Sequence, residues 1–295
     1  MTVIGSNISW THSTWNLAIG CTKVSAGCDH CYAEELVNRS GTFKQRFDQV
    51  VLKLDRLSHV RKFRPLVDPE TTRLMPHMVF VNSMSDFWHS DIPDETIGQI
   101  LDVMEQHPET IFQILTKRPV RARKLLADRY RGKGIPPHIW IGVSAEDNRV
   151  AGRLNIMRRL REQVGSGTFF VSVEPIVGPT DKLDLTGIAW TITGGESGPR
   201  ARKMEKPWLM AAIDQAQRQG SALWHKQNGT TQSHPNLDQV PGRIKRPGDQ
   251  FRWLRENGWE VLAAEKGGAT VDKQTYRALP DAFETVRSTL GDLLR

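Results

Sequence analysis

Cysteine is almost missing from this chain: three occur in 295 residues, at positions 21, 28 and 31, and none lies elsewhere to pair with them. A disulfide framework would leave one thiol over and would need partners far apart in the chain, so a stapled secreted domain does not fit. No run of 18 apolar residues occurs, which argues against a membrane-spanning helix, and no membrane partner is expected. The first seven residues, Met1 to Asn7, lack a basic stretch followed by an apolar one, so no signal peptide is expected. No G-x-G-x-x-G opens a helix after the first strand, which speaks against a dinucleotide-binding sheet. Low-complexity tracts and internal repeats are absent too. Together these absences point to a reducing cytoplasm, where exposed thiolates survive.

What is present begins with the cysteines, spaced C-x6-C-x2-C within Gly20-Cys21-Thr22-Lys23-Val24-Ser25-Ala26-Gly27-Cys28-Asp29-His30-Cys31-Tyr32. Such clustering is hard to reconcile with three unrelated buried thiols. A structural zinc site would need a fourth ligand, His30 or His12, and usually comes as two separated ligand pairs, of which only one is present here. An iron-sulfur cluster held by three thiolates, with one iron left open, is the other reading, because soft thiolates suit such clusters.

Forty Lys and Arg stand against thirty-three Asp and Glu, a net charge of +7 that favours polyanionic partners. Apolar runs predict strands at 14–19, 77–82, 111–116, 138–144, 168–173, 188–193 and 222–226. Their continuous apolar character is that of strands buried on both faces of a parallel sheet. Helices are expected at 33–39, 94–106, 120–129, 148–163, 207–219 and 281–294, and the run 50–54 reads equally as a strand or a short helix. Alternating strand and helix with right-handed crossovers predicts an α/β fold, a partial or full parallel (β/α) barrel. Residues 1–229 would form that barrel. Residues 230–295, opening with a polar linker at 230–236 and a basic stretch at 242–247, would be a C-terminal extension packed on it.

In such a barrel, side chains just past the C-terminal strand ends converge on one mouth. Cys21, Asn82 to Asp86, Thr116 to Arg118, Ser144 to Asn148, Glu174 and Gly194 to Ser197 all fall there. Glu174 ends the apolar run Phe169 to Val173, so its carboxylate would be buried unless paired, with Arg200 or Arg202 as candidate partners. Lys226, within Leu223-Trp224-His225-Lys226-Gln227, carries the same argument. Blander readings stand beside these: Asp86 capping the helix near Pro93, Lys117 at a solvated strand end, Ser144 capping the next helix, and Trp88-His89 as a packed turn.

The cysteine stretch, together with Asn82-Ser83-Met84-Ser85-Asp86-Phe87-Trp88-His89, Leu115-Thr116-Lys117-Arg118-Pro119, Trp140-Ile141-Gly142-Val143-Ser144, Ser172-Val173-Glu174-Pro175, Gly194-Gly195-Glu196-Ser197-Gly198 and Lys226-Gln227, resembles a phage and prophage family of three-cysteine radical S-adenosylmethionine proteins. More distantly it resembles the spore photoproduct lyase type. It departs from that superfamily's usual C-x3-C-x2-C by a longer first gap.

The resemblance implies a 4Fe-4S cluster on Cys21, Cys28 and Cys31 that chelates S-adenosyl-L-methionine and, on reduction by a flavodoxin or ferredoxin, releases a 5'-deoxyadenosyl radical. It implies cofactor contacts from Asn82, Ser83, Ser85 and Asp86 to the amino group, from Lys117 and Ser144 to carboxylate and ribose, and from His30 or Tyr32 near adenine. Glu174, Glu196 and Lys226 are the candidate catalytic residues. With the basic surface, the resemblance implies isomerisation of a substituent on a hypermodified thymidine in phage DNA, in a host cytoplasm. The nucleotide would be flipped out and its phosphates held by Lys117, Arg118, Arg200, Arg202, Arg243, Lys245 and Arg246. The alternatives are a zinc-stabilised DNA-binding module and a radical enzyme acting on a DNA lesion or a peptide.

Overall fold

The computed structural model describes residues 3–39, 43, 45–198, 200–229, 239–257, 270–271 and 274–293. Its centre is one eight-stranded sheet. Strand β1 (Val3–Ile4) pairs antiparallel with β2 (Ser13–Trp15). From β2 on, β3 (His77–Val81), β4 (Thr110–Thr116), β5 (Ile139–Ser144), β6 (Thr168–Val173), β7 (Trp190–Gly194) and β8 (Ala222–Gln227) follow in chain order, each parallel to the last. Consecutive parallel neighbours all added at one edge give seven parallel strands curled into a half-barrel, the partial barrel expected of alternating strand and helix.

Side chains alternate across this sheet, and each face has its own core. Outward, Phe112, Ile114, Ile141, Val143, Phe169 and Val171 meet the helices. Helix α2 (Asp94–Glu105) supplies Ile97, Ile100, Leu101 and Met104, an apolar stripe at helical spacing. Helices α3 (Pro119–Tyr130), α4 (Gly152–Val164) and α5 (Lys206–Arg218) cover the rest in the same way. Inward, the N-terminal halves of the strands carry Met78, Ile111, Trp140, Phe170 and Trp190, and these fill the lower lumen with Trp10. Trp190 is the hub, its ring centre 5.8 Å from Trp140, 5.9 Å from Phe170 and 6.2 Å from both Trp10 and Trp224. Gly142 makes room for this cluster, since a Cβ there would sit 2.3 Å from the Phe170 ring.

The half-barrel is closed from below and at its edge by late residues. Helix α7 (Asp281–Leu293) inserts Phe283 and Val286 among the lumen aromatics. Residues 276–278 lie along the free edge of β8, with His225 N donating to Tyr276 O and Ala278 N to Leu223 O. Covering that edge removes a row of unpaired backbone groups that would otherwise template association.

Three details differ from the sequence reading. The first strand does not run unbroken over 14–19. Asn82 Oδ1 takes the backbone N–H groups of Leu17 and Ala18 at 2.8 and 3.2 Å, and Ala18–Ile19 peels away to pair with Val51–Leu52, which is followed by 3₁₀ turns over Leu54–Lys62. The helix expected at 148–163 begins later, after a turn that Asp147 caps by accepting from Arg149 N at 2.8 Å. The basic stretch at 242–247 leads into a further helix, α6 (Pro247–Glu256), with Pro247 in its first turn. The linker expected at 230–236 lies outside the described residues.

Candidate active site

The cysteine loop is built as a rigid object before any ligand is considered. Gly20 N donates to Met84 O and Cys21 N to Phe47 O, at 3.0 and 2.7 Å. Gly20 sits at φ +109, and a Cβ there would lie 2.2 Å from Gln49 O, so only glycine fits. A 3₁₀ turn over Ala26–Cys28 follows, and Cys31 immediately precedes α1 (Tyr32–Arg39). Beneath, Ile19, Ala33, Val37, Phe47 and Met84 form a small apolar bed on which Cys21 and Cys31 rest. Burial pushes the Cys21 thiol up to about 11, aided by Asp86 and opposed by the Arg118 guanidinium. Burial likewise raises Cys31, against backbone N–H groups of Glu34 and Ala33 and the charge of Lys117. A metal would deprotonate such thiols on binding.

Three long-range clamps hold the loop. Arg118 Nη2 donates to Thr22 O at 3.0 Å and to Thr22 Oγ1 at 2.6 Å, and His89 Nε2 lies 2.9 Å from the same hydroxyl. Glu146, fully buried beyond the end of β5, accepts from Gly27 N at 3.2 Å and from Arg153 Nη1 at 2.9 Å. Burial opposes its ionisation, yet Lys117 and Arg153 hold its carboxyl below the ordinary glutamate value. Arg202 reaches Ala26 O at 2.8 Å and Asp29 Oδ2 at 3.1 Å while forking onto Glu196 at 2.6 and 3.0 Å. Each clamp comes from the C-terminal end of a different strand, so the sheet itself sets the loop's position.

Above the aromatic floor, the mouth of the half-barrel encloses a cavity of about 250 Å³. All three cysteines line it, as do all the other candidate residues: His30, Tyr32, Asn82, Ser83, Ser85, Asp86, Lys117, Ser144, Glu174, Glu196 and Lys226. Among the described residues no three His, Cys, Asp or Glu side chains come close enough to hold a single metal ion. The three thiols share a cavity wall. Three soft thiol donors around one space are a donor set that suits an iron-sulfur cluster.

Several partners differ from those the sequence suggested. Glu174 pairs with Lys226 Nζ at 2.6 Å, across Gly194 of the intervening strand, where a Cβ would lie 3.2 Å from Glu174 Oε1. Neither Arg200 nor Arg202 is its partner, because Arg200 reaches Glu35 at 3.1 Å and Arg202 is committed to Glu196. Glu196 is not a bare catalytic carboxylate. It accepts from Arg202 N at 2.8 Å, from the Arg202 side chain, and from His30 Nδ1 at 3.1 Å. Burial opposes its ionisation, but the Arg202 hydrogen bonds hold its carboxyl below the usual range. Arg118 and Arg202, expected on phosphates, have their guanidinium groups on the cysteine loop instead.

Asp86 caps no helix near Pro93. It accepts from Thr116 Oγ1 at 2.7 Å, Trp88 N at 2.9 Å and Lys117 N at 2.9 Å, tying the turn after β3 to the end of β4. Ser83 Oγ donates to Asn16 Oδ1, Ser85 Oγ to Gly20 O and Tyr32 OH to Ser83 O, at 3.1, 2.6 and 2.6 Å. These groups brace the mouth, which leaves less of them for direct ligand contact. Ser144 is not a cap, since its hydroxyl accepts from Lys117 Nζ at 3.3 Å. Trp88 and His89 are buried, as in the packed-turn reading.

Two residues that line the cavity carry buried donors with no hydrogen-bond partner in the protein, Asn82 Nδ2 and Trp10 Nε1. An orphaned buried N–H costs about 1–3 kcal/mol, a cost that the bonds around these two residues must offset. Sequence reasoning placed Glu146 only as part of the run 144–148 at the mouth, with no role of its own, and missed Trp10. The first had a signal, a carboxylate just past an apolar strand as with Glu174; the second had none.

No curated protein matches this chain. Among solved structures, spore photoproduct lyase complexed with dinucleoside spore photoproduct aligns at 15% identity with a TM-score of 0.45, over 73% of this chain and 63% of that one. A mutant of that lyase with bound AdoMet and dinucleoside spore photoproduct aligns at 14% identity and 0.46, with the same coverage. Another of its mutants aligns at 14% and 0.45, over 100% of this chain and 76% of the other. The chain thus spans less than two thirds of the first of these proteins. Residues 5–280 match the family model described as "Protein of unknown function (DUF5131)", and the chain belongs to that family.

Proposed function

We propose that this protein is a radical S-adenosylmethionine enzyme that isomerises a substituent on a modified thymidine in phage DNA. The observation that carries the reading is that every cysteine in the chain lines one cavity at the C-terminal mouth of a parallel half-barrel. Cys21, Cys28 and Cys31 would hold a 4Fe-4S cluster. When bound and reduced, cluster and cofactor together supply a carbon radical able to take hydrogen from an unactivated position.

The chain's own residues then have separable tasks. Arg118, Glu146 and Arg202 keep the cysteine loop fixed against the strand ends. Lys117 presents a donor suited to the cofactor's carboxylate, and Ser144 a hydroxyl suited to its ribose. Backbone oxygens of the turn after β3, with the spare lone pairs of Asp86, suit the amino group. His30 and Tyr32 border the space for adenine. Glu196 orients His30 and Arg202. Glu174 and Lys226, paired at 2.6 Å, face the cavity and are the groups placed to hold or move a proton on substrate. The aromatic floor excludes water beneath the reacting atoms.

The DNA part of the reading rests on the charge of +7 and on a second cleft lined by Arg243, Lys245, Arg246, Arg252 and Trp253, where four cations outnumber the two acids Asp249 and Glu256. Arg200 is exposed beside the cavity mouth. A base stacked and paired within a duplex cannot enter an enclosed cavity, so the target nucleotide would be flipped. The test is anaerobic incubation of reconstituted protein with reductant, S-adenosylmethionine and DNA bearing the modified thymidine, followed by nucleoside mass analysis. Isomerisation gives a nucleoside of unchanged mass and altered retention. A changed mass, or activity only on irradiated unmodified DNA, contradicts it.

A further inference from the structure

The positive charge of this chain is not spread evenly along it. Between Lys117 and Glu162, 46 residues hold thirteen Lys and Arg against four Asp and Glu, a net charge of +9, whereas the other 249 residues hold 27 against 29, a net of −2. The whole excess therefore lies on one stretch, which starts with Lys117 at the cavity mouth and runs through α3 and α4 on the outer wall.

Part of that charge is used by the fold. Helix α2 carries four carboxylates and no cation, and α3 answers it with Arg121 on Asp94 and with Arg129 on Asp102 and on Glu105, the last at 2.8 Å. From α4, Arg153 pairs with Glu146 at 2.9 Å and Arg158 with Asp184 at 3.0 Å. Lys124, Lys133, Arg159 and Arg161 are left over: they are exposed and have no carboxylate partner among the described residues. The two helices lie side by side, with Arg123 Nη1 donating to Gln163 Oε1 at 3.3 Å and Gly132 N to Gln163 O at 3.2 Å. Lys124 beside Arg123, Lys133 beside Gly132 and Arg159 one turn before Gln163 thus flank a single seam. Like charges gathered there repel one another and do nothing for the fold, whereas a row of phosphates would neutralise them and release counterions. An anionic membrane would call for apolar side chains among the cations, and Val120 is the one large exposed hydrophobic on α3 and α4 among the described residues. Resting on the nucleic-acid reading above and deepening it, we infer that the outer wall of α3 and α4 holds the phosphate backbone of duplex DNA, with Lys124, Lys133 and Arg159 as contacts blind to sequence. Lys117 lines the cavity and Pro119 opens α3 two residues later, so a duplex on this wall lies next to the mouth into which one nucleotide turns.

The experiment measures binding of a short, fluorescently labelled DNA duplex to the reconstituted protein by anisotropy across a series of KCl concentrations. Backbone contacts carry no sequence information, so the duplex needs no modified base. Lys124→Gln combined with Arg159→Gln should weaken binding at low salt and flatten the plot of log affinity against log salt by about 2, roughly 0.9 for each lost phosphate contact. The same double variant should keep its iron and its cleavage of S-adenosylmethionine in the absence of DNA, because neither residue lines the cavity.

If wild type binds the duplex and the double variant keeps the wild-type slope, the assignment of the backbone to this wall is overturned while the nucleic-acid reading stands. If polyglutamate displaces the labelled duplex as well as unlabelled duplex does, the wall suits an acidic protein and the assignment to DNA is overturned as well. If wild type fails to bind duplex even at low salt, the nucleic-acid reading fails and this inference with it.

Discussion

The two ends of the lumen are built from the same strands and do opposite things. Along β5 the inward residues run Trp140, Gly142, Ser144, and along β6 they run Phe170, Ser172 and then Glu174, so one face of one strand passes from aromatic to polar within a few residues. The lower end is held by dispersion and apolar burial, with four tryptophans and two phenylalanines in mutual ring contact and α7 as its plug. The upper end is held by directional bonds, several of which run from strand ends to the cysteine loop. Stability is thereby concentrated where no chemistry is proposed, and the mouth can carry strained, buried and charged groups because the floor supports it.

Substitutions at the two ends should therefore fail in different ways. Cys28→Ser should abolish iron retention and cofactor cleavage while the protein stays folded, as iron analysis beside circular dichroism would show. Phe283→Ala, at the floor, should cost about 3–5 kcal/mol in chemical denaturation because it opens a cavity among packed rings. It should leave the iron content per folded chain unaltered, and a parallel loss of iron would erase the distinction between the ends. Lys226→Met should lower product formation about a hundredfold, in the range of a lost proton-transfer group, and more than it lowers 5'-deoxyadenosine formation. Equal losses would place Lys226 with the cofactor rather than the substrate.

Smaller effects sharpen the boundary. Arg202→Lys keeps the charge but not the fork that spans Glu196, Ala26 and Asp29, and should destabilise the loop by about 1–3 kcal/mol, read as faster loss of iron to a chelator. The smallest effect is one of pH. His12, whose Nδ1 accepts from Met78 N at 3.0 Å, has its pKa lowered to about 4 by burial and by nearby His77. Its folded value lies below the unfolded 6.5, so the unfolded chain binds the extra proton between these values. Stability should fall as pH drops from 6.5 toward 4, and less steeply in His12→Asn, as thermal melts across that range would register.

Much of the architecture was legible in the residues. Runs such as Ile139 to Val143 are apolar at every position because both faces of a parallel sheet are covered, and that pattern survives any choice of partner. The break after Trp15 was not legible, because it depends on a side chain, Asn82, arriving from another strand to take two backbone N–H groups. Helix α6 was hidden by its basic composition although Pro247 marked its start. At the site, residue types placed after strand ends pointed to the cavity, but pairing did not. Whether Glu174 meets Arg202 or Lys226 turns on which strand lies two places away and on Gly194 between them, a matter of topology and not of spacing. Trp10 gave no periodic signal, since it stands alone between two short strands.

The central claim is that the three cysteines hold a redox cluster that engages S-adenosylmethionine. The most direct measurement is anaerobic reconstitution with iron and sulfide, followed by an electron paramagnetic resonance spectrum of the reduced protein with and without S-adenosylmethionine. The account predicts a 4Fe-4S signal that changes when S-adenosylmethionine is added and is lost in Cys28→Ser. A colourless protein that binds one zinc per chain and shows no such signal would contradict it.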